Sequence, residues 1–167
     1  MPSNSIHNQN ENVIKDFGQE WEEYNQRDLD RQELLDLFGK YFSIFPFEQV
    51  NKKSVGFDMG CGSGRWGQII APKVKVLNCI EPSKKAIEQA KKNLQKYKNC
   101  KFINSDVLNN QLEDNSQDFG YCLGVLHHIS ETEQGLKKCV DKLKKGAPFL
   151  IYLYYRFDNK PLWYKLI

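Results

Sequence analysis

Gly60, Gly62, Gly64 and Gly67 crowd into one short stretch of this chain, between an apolar run over 54–59 and another over 65–71. The first run reads as a strand, and the second as a short helix that stops at Pro72. A glycine-rich turn from a first strand into a first helix lets backbone lie directly against a ligand. It also commits the chain to an α/β start, whose partners must come from further strand–helix alternation.

That alternation follows. Residues 74–80 predict a second strand, and Ser83 caps a helix whose apolar stripe is Ile87, Ala90 and Leu94. A third strand is expected over 101–104 and a polar loop over 105–117. The near-continuous apolar run 118–126 has the composition of a strand buried on both faces. A helix over about 131–144 carries Leu136, Val140 and Leu143 on one side. Gly146 ends it, and 147–155 is the fifth strand. The expected fold is α/β, a parallel sheet with helices on both faces, and right-handed crossovers leave only a few topologies for it. A helical segment precedes it. Residues 1–16 read as a disordered tail. Residues 17–50 read as an aromatic and helical cover, with Phe17, Trp21 and Tyr24 followed by a helix over 28–45, capped by Asp28 or Asp30 and ended by Pro46. Residues 51–167 form the ligand-binding domain.

Taken formally, Gly62-Ser-Gly64-Arg-Trp-Gly67 matches a dinucleotide fingerprint. Two details oppose a nicotinamide cofactor. Asp58 stands two positions before the first glycine, where a dinucleotide loop has only apolar strand, and the glycines are denser than pyrophosphate binding requires. A cationic, amino-acid-like ligand with an ammonium and a sulfonium explains the acid. The segment Asp58-Met-Gly60-Cys61-Gly62-Ser-Gly64 resembles motif I of class I S-adenosylmethionine-dependent methyltransferases, within the broad type 11 methyltransferase-domain group. The resemblance covers roughly 52–155. It implies a Rossmann-like open parallel sheet in the order 3-2-1-4-5 and S-adenosylmethionine as cofactor, with Gly60, Cys61, Gly62 and Gly64 beneath it. It further implies that Glu81, followed by Pro82, receives the ribose hydroxyls and that Asp106 and Val107 lie at the adenine. Leu123 and Gly124 would lie under the methionine portion, and Lys144-Lys145-Gly146-Ala147-Pro148 is similar to the family's turn into strand 5.

Methyl transfer is an in-line displacement, and a base helps when the acceptor must lose a proton. His127 and His128, at the exit of strand 4, are the candidates; alternatively one packs on the helix and the other caps it. The segment with Trp21 and Tyr24 resembles a cover found in small-molecule members, and Arg65 is a candidate for the cofactor's carboxylate or a surface residue. The Asp/Asn-Pro-Pro-aromatic tetrad of amino methyltransferases acting on adenine or glutamine amides is replaced by Leu123-Gly-Val-Leu126. No cysteine follows a proline, as a cytosine-C5 nucleophile typically does. With 24 basic and 21 acidic residues the net charge is only +3, so a small-molecule acceptor is expected rather than nucleic acid. The other readings are a non-catalytic cofactor-binding module and, remotely, a nicotinamide oxidoreductase.

The five cysteines, at 61, 79, 100, 122 and 139, form no CxxC pair and read as reduced core thiols of a cytoplasmic protein without a metal site. No segment reads as a signal peptide or membrane span. Strand 5 is expected to be an apolar edge calling for an oligomeric contact, a partner or further strands, so the chain reads as a fragment or a short form.

Overall fold

The computed structural model describes residues 30–154 of the chain, so the expected tail and the Trp21–Tyr24 segment lie outside the described residues. Strands β1 (Val55–Met59), β2 (Val76–Ile80), β3 (Cys100–Ile103), β4 (Phe119–Leu123) and β5 (Phe149–Tyr152) form one sheet in the order β3-β2-β1-β4-β5. All four pairings are parallel. The helices are α1 (Arg31–Tyr41), α2 (Gly67–Ile70), α3 (Lys84–Asn93) and α4 (Thr132–Lys142). The architecture and strand order are those read from the sequence. Because β2 and β4 flank β1, the chain leaves the sheet in opposite directions at the carboxyl ends, which opens a crevice there.

Side chains alternate along each strand and feed two cores. Leu77, Cys79, Phe119, Tyr121 and Leu150 pack with Phe42, Ile70, Ala90 and Leu94 on one face. Phe57, Met59, Ile80, Cys122 and Leu126 pack with Cys139 and Leu143 on the other. The central strands fit each other by size. Gly56 lies opposite Phe119 and Phe57 opposite Gly120. A Cβ on Gly56 would stand 2.2 Å from the Phe119 ring, and one on Gly120 would stand 2.3 Å from the Phe57 ring.

Ser83 caps α3 as expected, its hydroxyl accepting from the Ala86 amide at 3.3 Å, and Ala86, Ile87 and Ala90 are buried. Other boundaries move. Helix α1 ends at Tyr41, five residues before Pro46, and its N-cap Asp30 makes no side-chain capping bond. The chain turns instead through Phe42 and Phe45, whose rings join Phe38, Phe47 and Trp66 against Tyr121 and Phe119. Pro72 does not stop the structure after α2 but sits inside a 3-10 turn, Ala71–Lys73. Strand β4 ends at Leu123, three residues early, because Gly124 takes φ +75° and turns the chain out of the sheet.

Helix α4 contradicts the expected stripe. Leu136 and Val140 are exposed, while Gly135, Cys139 and Lys142 face inward. A Cβ at Gly135 would lie only 3.2 Å from Leu126, so a small side chain there lets the helix approach the sheet closely. Leu143, past the last turn, is buried after all, and the buried Lys142 reaches out to Asp114 at 2.6 Å.

Candidate functional site

The glycine loop follows β1 with Gly60, Gly62 and Gly64 at φ +78°, +52° and +79°, a backbone that side chains rarely adopt. Four of its amides are already engaged. Gly60 and Cys61 both donate to the Ile80 carbonyl at 2.9 Å, Gly62 donates to Glu81 Oε2 at 3.0 Å, and Gly64 donates to the Cys61 carbonyl at 2.8 Å. A pyrophosphate needs such amides free, so this loop is poorly suited to a dinucleotide. Cys61 is buried in the core, its thiol 3.6 Å from the Gly62 carbonyl.

Asp58 lies on β1, opposite Cys79 of β2 and Tyr121 of β4. It is 2% exposed, and neither its Oδ2 nor the Tyr121 hydroxyl has a hydrogen bond of normal geometry. Burial pushes the Asp58 pKa up to about 8, with the neighbouring Tyr121 hydroxyl pulling it down and the Glu81 charge adding to the rise. Glu81, in the turn after β2, accepts from the Gly62 amide on one oxygen and from the Ser83 amide, at 2.9 Å, on the other. Burial raises its pKa, and those two amides moderate the rise. The Asn104 side chain clamps the same turn by donating to the Glu81 and Pro82 carbonyls at 2.8 and 2.9 Å.

Asp106 begins the loop after β3, where Asn109 holds its carboxylate through a backbone amide at 2.8 Å and a side-chain amide at 2.9 Å. The Val107 side chain is buried in the cluster with Ile80, Leu126 and Cys139, and its carbonyl accepts from the Asn110 side chain at 2.6 Å. Leu123 is half-buried at the end of β4, and an added Cβ at Gly124 would meet nothing within 4 Å. His127 and His128 occupy a 3-10 turn, Leu126–His128, with ring centroids 4.0 Å apart. The Tyr154 ring packs 4.2 Å from His127, and its amide donates weakly, at 3.5 Å, to His127 Nδ1. His127 Nε2 is buried without a hydrogen bond. Burial lowers the pKa of both imidazoles, that of His127 also through His128, so both are neutral at pH 7. Arg65 stacks its guanidinium 5.4 Å above the Trp66 ring. Trp21 and Tyr24 fall outside the described residues.

A methyltransferase domain family matches residues 57–151, more than half of the chain, and that span contains Asp58, Glu81, Asp106 and both histidines. The chain belongs to the S-adenosylmethionine-dependent methyltransferases. Two clostridial proteins are similar to this methyltransferase domain. One, from Clostridium tetani, is 38% identical over 69 residues, covering 40% of this chain and 15% of that protein. The other, from Clostridium acetobutylicum, is 32% identical over 109 residues, covering 57% and 23%. Both are named uncharacterized RNA methyltransferases, and the chain spans less than a quarter of the length of either. Among solved structures, the Haemonchus contortus phosphoethanolamine N-methyltransferase 1, in complex with phosphoethanolamine and S-adenosylhomocysteine, shares the fold. Its TM-score is 0.62 at 19% identity, covering 80% of this chain and 30% of that one.

In this methyltransferase domain the sequence reading left out Tyr121. One signal was available: a tyrosine within a strand buried on both faces must place its hydroxyl somewhere. Tyr154, against His127, carried no such signal, since it was assigned only to a fifth strand that in fact ends at Tyr152. No helix among the described residues is long and apolar enough to cross a membrane.

Proposed function

We propose that this domain binds S-adenosylmethionine across the carboxyl ends of β1, β2 and β3 and transfers its methyl group to a small-molecule acceptor at oxygen, nitrogen or carbon. The observation that carries the reading is the buried, unpartnered Asp58 carboxyl oxygen beside a glycine loop whose Gly60, Cys61, Gly62 and Gly64 amides are already engaged. A ligand ammonium supplies the missing partner, whereas a phosphate meets four engaged amides and the acidic Asp58 and Glu81. Each Glu81 oxygen accepts one amide and keeps a lone pair for one ribose hydroxyl. Asp106, on re-aiming from Asn109, and the Val107 backbone suit the adenine edge. The bare Gly124 backbone leaves room for the methionine portion.

When bound, S-adenosylmethionine supplies a methyl group activated by a sulfonium. The chain's own task is then to hold the acceptor in line with it and to exclude water. His127 and His128, neutral at pH 7, are able to take a proton from a hydroxyl or ammonium acceptor. His127 does so only when its Nδ1 leaves the Tyr154 amide, so His128, the more exposed ring, is the better candidate.

An RNA acceptor is the second reading, favoured by the names of the two clostridial relatives. The low net charge and the absence of a cysteine after proline favour the first. Calorimetric titration with S-adenosylhomocysteine is the primary test. Micromolar binding is expected, with at least about a hundredfold loss in Asp58→Ala and no binding of NADH. NADH binding that survives Asp58→Ala overturns the reading.

A further inference from the structure

We propose that cofactor uptake expels to solvent a proton held by Asp58, and that the Tyr121 hydroxyl sets the pH at which that proton leaves. The proposal rests on the cofactor reading above and concerns the regulation of the same site.

The geometry leaves Asp58 with no cation. Tyr121 faces it from β4, Cys79 from β2, Cys61 from the glycine loop and Glu81 from the turn after β2; Cys100 and Cys122 sense it from β3 and β4. Every one of these groups is neutral or anionic. Among the described residues, no Lys, Arg or His contributes to its electrostatic surroundings. A buried carboxylate whose second oxygen lacks any hydrogen bond is costly, and protonation removes the charge. The ligand's ammonium reverses that balance, because it pairs with the ionised form and is repelled by nothing in the pocket. The proton lost from the carboxyl group passes to solvent, and the charge within the site is conserved by the incoming cation.

Tyr121 is a positioning residue in this scheme. Its ring is held edge-on by Phe42, with centroids 5.3 Å apart, so the hydroxyl has a fixed place beside Asp58. The hydroxyl can donate only to the ionised carboxylate without competition, and it therefore eases the proton's departure. Tyr121→Phe keeps the ring and deletes the oxygen, so it moves the midpoint of proton release to higher pH.

Titration of the full chain with S-adenosylhomocysteine at pH 6, 7 and 8, each in two buffers of different ionisation heat, tests this. At pH 7 the buffer dependence of the heat is expected to report close to one proton released. Affinity at pH 8 is expected to exceed that at pH 6 by about fiftyfold. In Tyr121→Phe the affinity should fall more at pH 6 than at pH 8, a pattern that simple loss of packing does not produce. Affinity that is constant within about threefold from pH 6 to 8, with no buffer-dependent heat, overturns the proposal while leaving the cofactor site intact. An equal loss at every pH in Tyr121→Phe overturns the role of its hydroxyl. Absence of binding at all three pH values overturns the cofactor site, and the proposal falls with it.

Discussion

At the amino end of the sheet, Asp118 accepts from the Val55 amide at 2.8 Å and from Lys144 at 2.7 Å. Asn78, buried in β2, donates to the Gly56 carbonyl at 3.2 Å and to Gln117 at 3.0 Å, and Asn99 pins the turn before β2 through the Ala71 and Val74 carbonyls. At the carboxyl end the counterparts are left open: Asp58 Oδ2, the Tyr121 hydroxyl and His127 Nε2 are buried without partners among the described residues. Both ends are built from the same kinds of residue on the same strands. The difference is that one end satisfies its polar groups internally and so adds to stability, while the other withholds them for a ligand. Unpartnered burial destabilises the ligand-free protein, and binding recovers that loss.

Gly60→Ala gives the largest expected effect. Its φ of +78° and the 2.3 Å approach of an added Cβ to Val125 leave no accommodating geometry. Unfolding in urea should show about 4 kcal/mol lost. A loss below about 1 kcal/mol means that the loop is more plastic than its contacts imply.

The pH dependence comes next. Asp58 has its pKa raised from 3.8 to about 8 in the folded protein, so between those values the native state holds a proton that the unfolded chain gives up. Stability is therefore full below pH 4 with respect to this group and declines as pH rises towards 8. From pH 5 to pH 8 the ligand-free protein should lose about 3 kcal/mol, and Asp58→Asn should flatten that slope. Urea titrations at several pH values check it, and equal slopes in both proteins sink the assignment.

Asn78→Ala probes the finished end. It strands the Gln117 oxygen and a backbone carbonyl, at an expected cost of about 2 kcal/mol in thermal or urea unfolding. Affinity for S-adenosylhomocysteine should not change, since the residue serves the scaffold alone. Weakened binding in a folded Asn78→Ala protein would blur the division between the two ends.

What the sequence disclosed followed from local rules. Glycine punctuation, the Ser83 cap and alternating apolar runs are set by a few adjacent residues, and they were enough to indicate five parallel strands, whose order came with the family resemblance. Asp58 stood out by its spacing from the glycines, and Glu81 through the family resemblance, as the acid that ends the second strand. The buried side of α4 did not, because Gly135 and Cys139 win that side through close approach to Leu126, a property of the partner surface and not of the helix. Helix α1 stopped short of Pro46 because the aromatic cluster around Phe42 and Trp66 redirects the chain. The occupation of Asp106 by Asn109 and the stacking of Tyr154 on His127 also depend on how loops settle, which periodicity does not record.

The reciprocal fit of Gly56 with Phe119 and of Phe57 with Gly120 has a bearing on how such a protein varies over time. Sliding β1 by one residue along β4 brings ring against ring on one side and void against void on the other, so misalignment is penalised on both faces at once. Asp58 and Tyr121 occupy the next step of that register, and their adjacency is inherited from it. The four central positions are consequently expected to change in lineages as coupled pairs, a lost ring on one strand matched by a gained one on the other. A solitary substitution among them would disturb Asp58 and Tyr121, one or two residues further along their strands, without itself lying at the crevice.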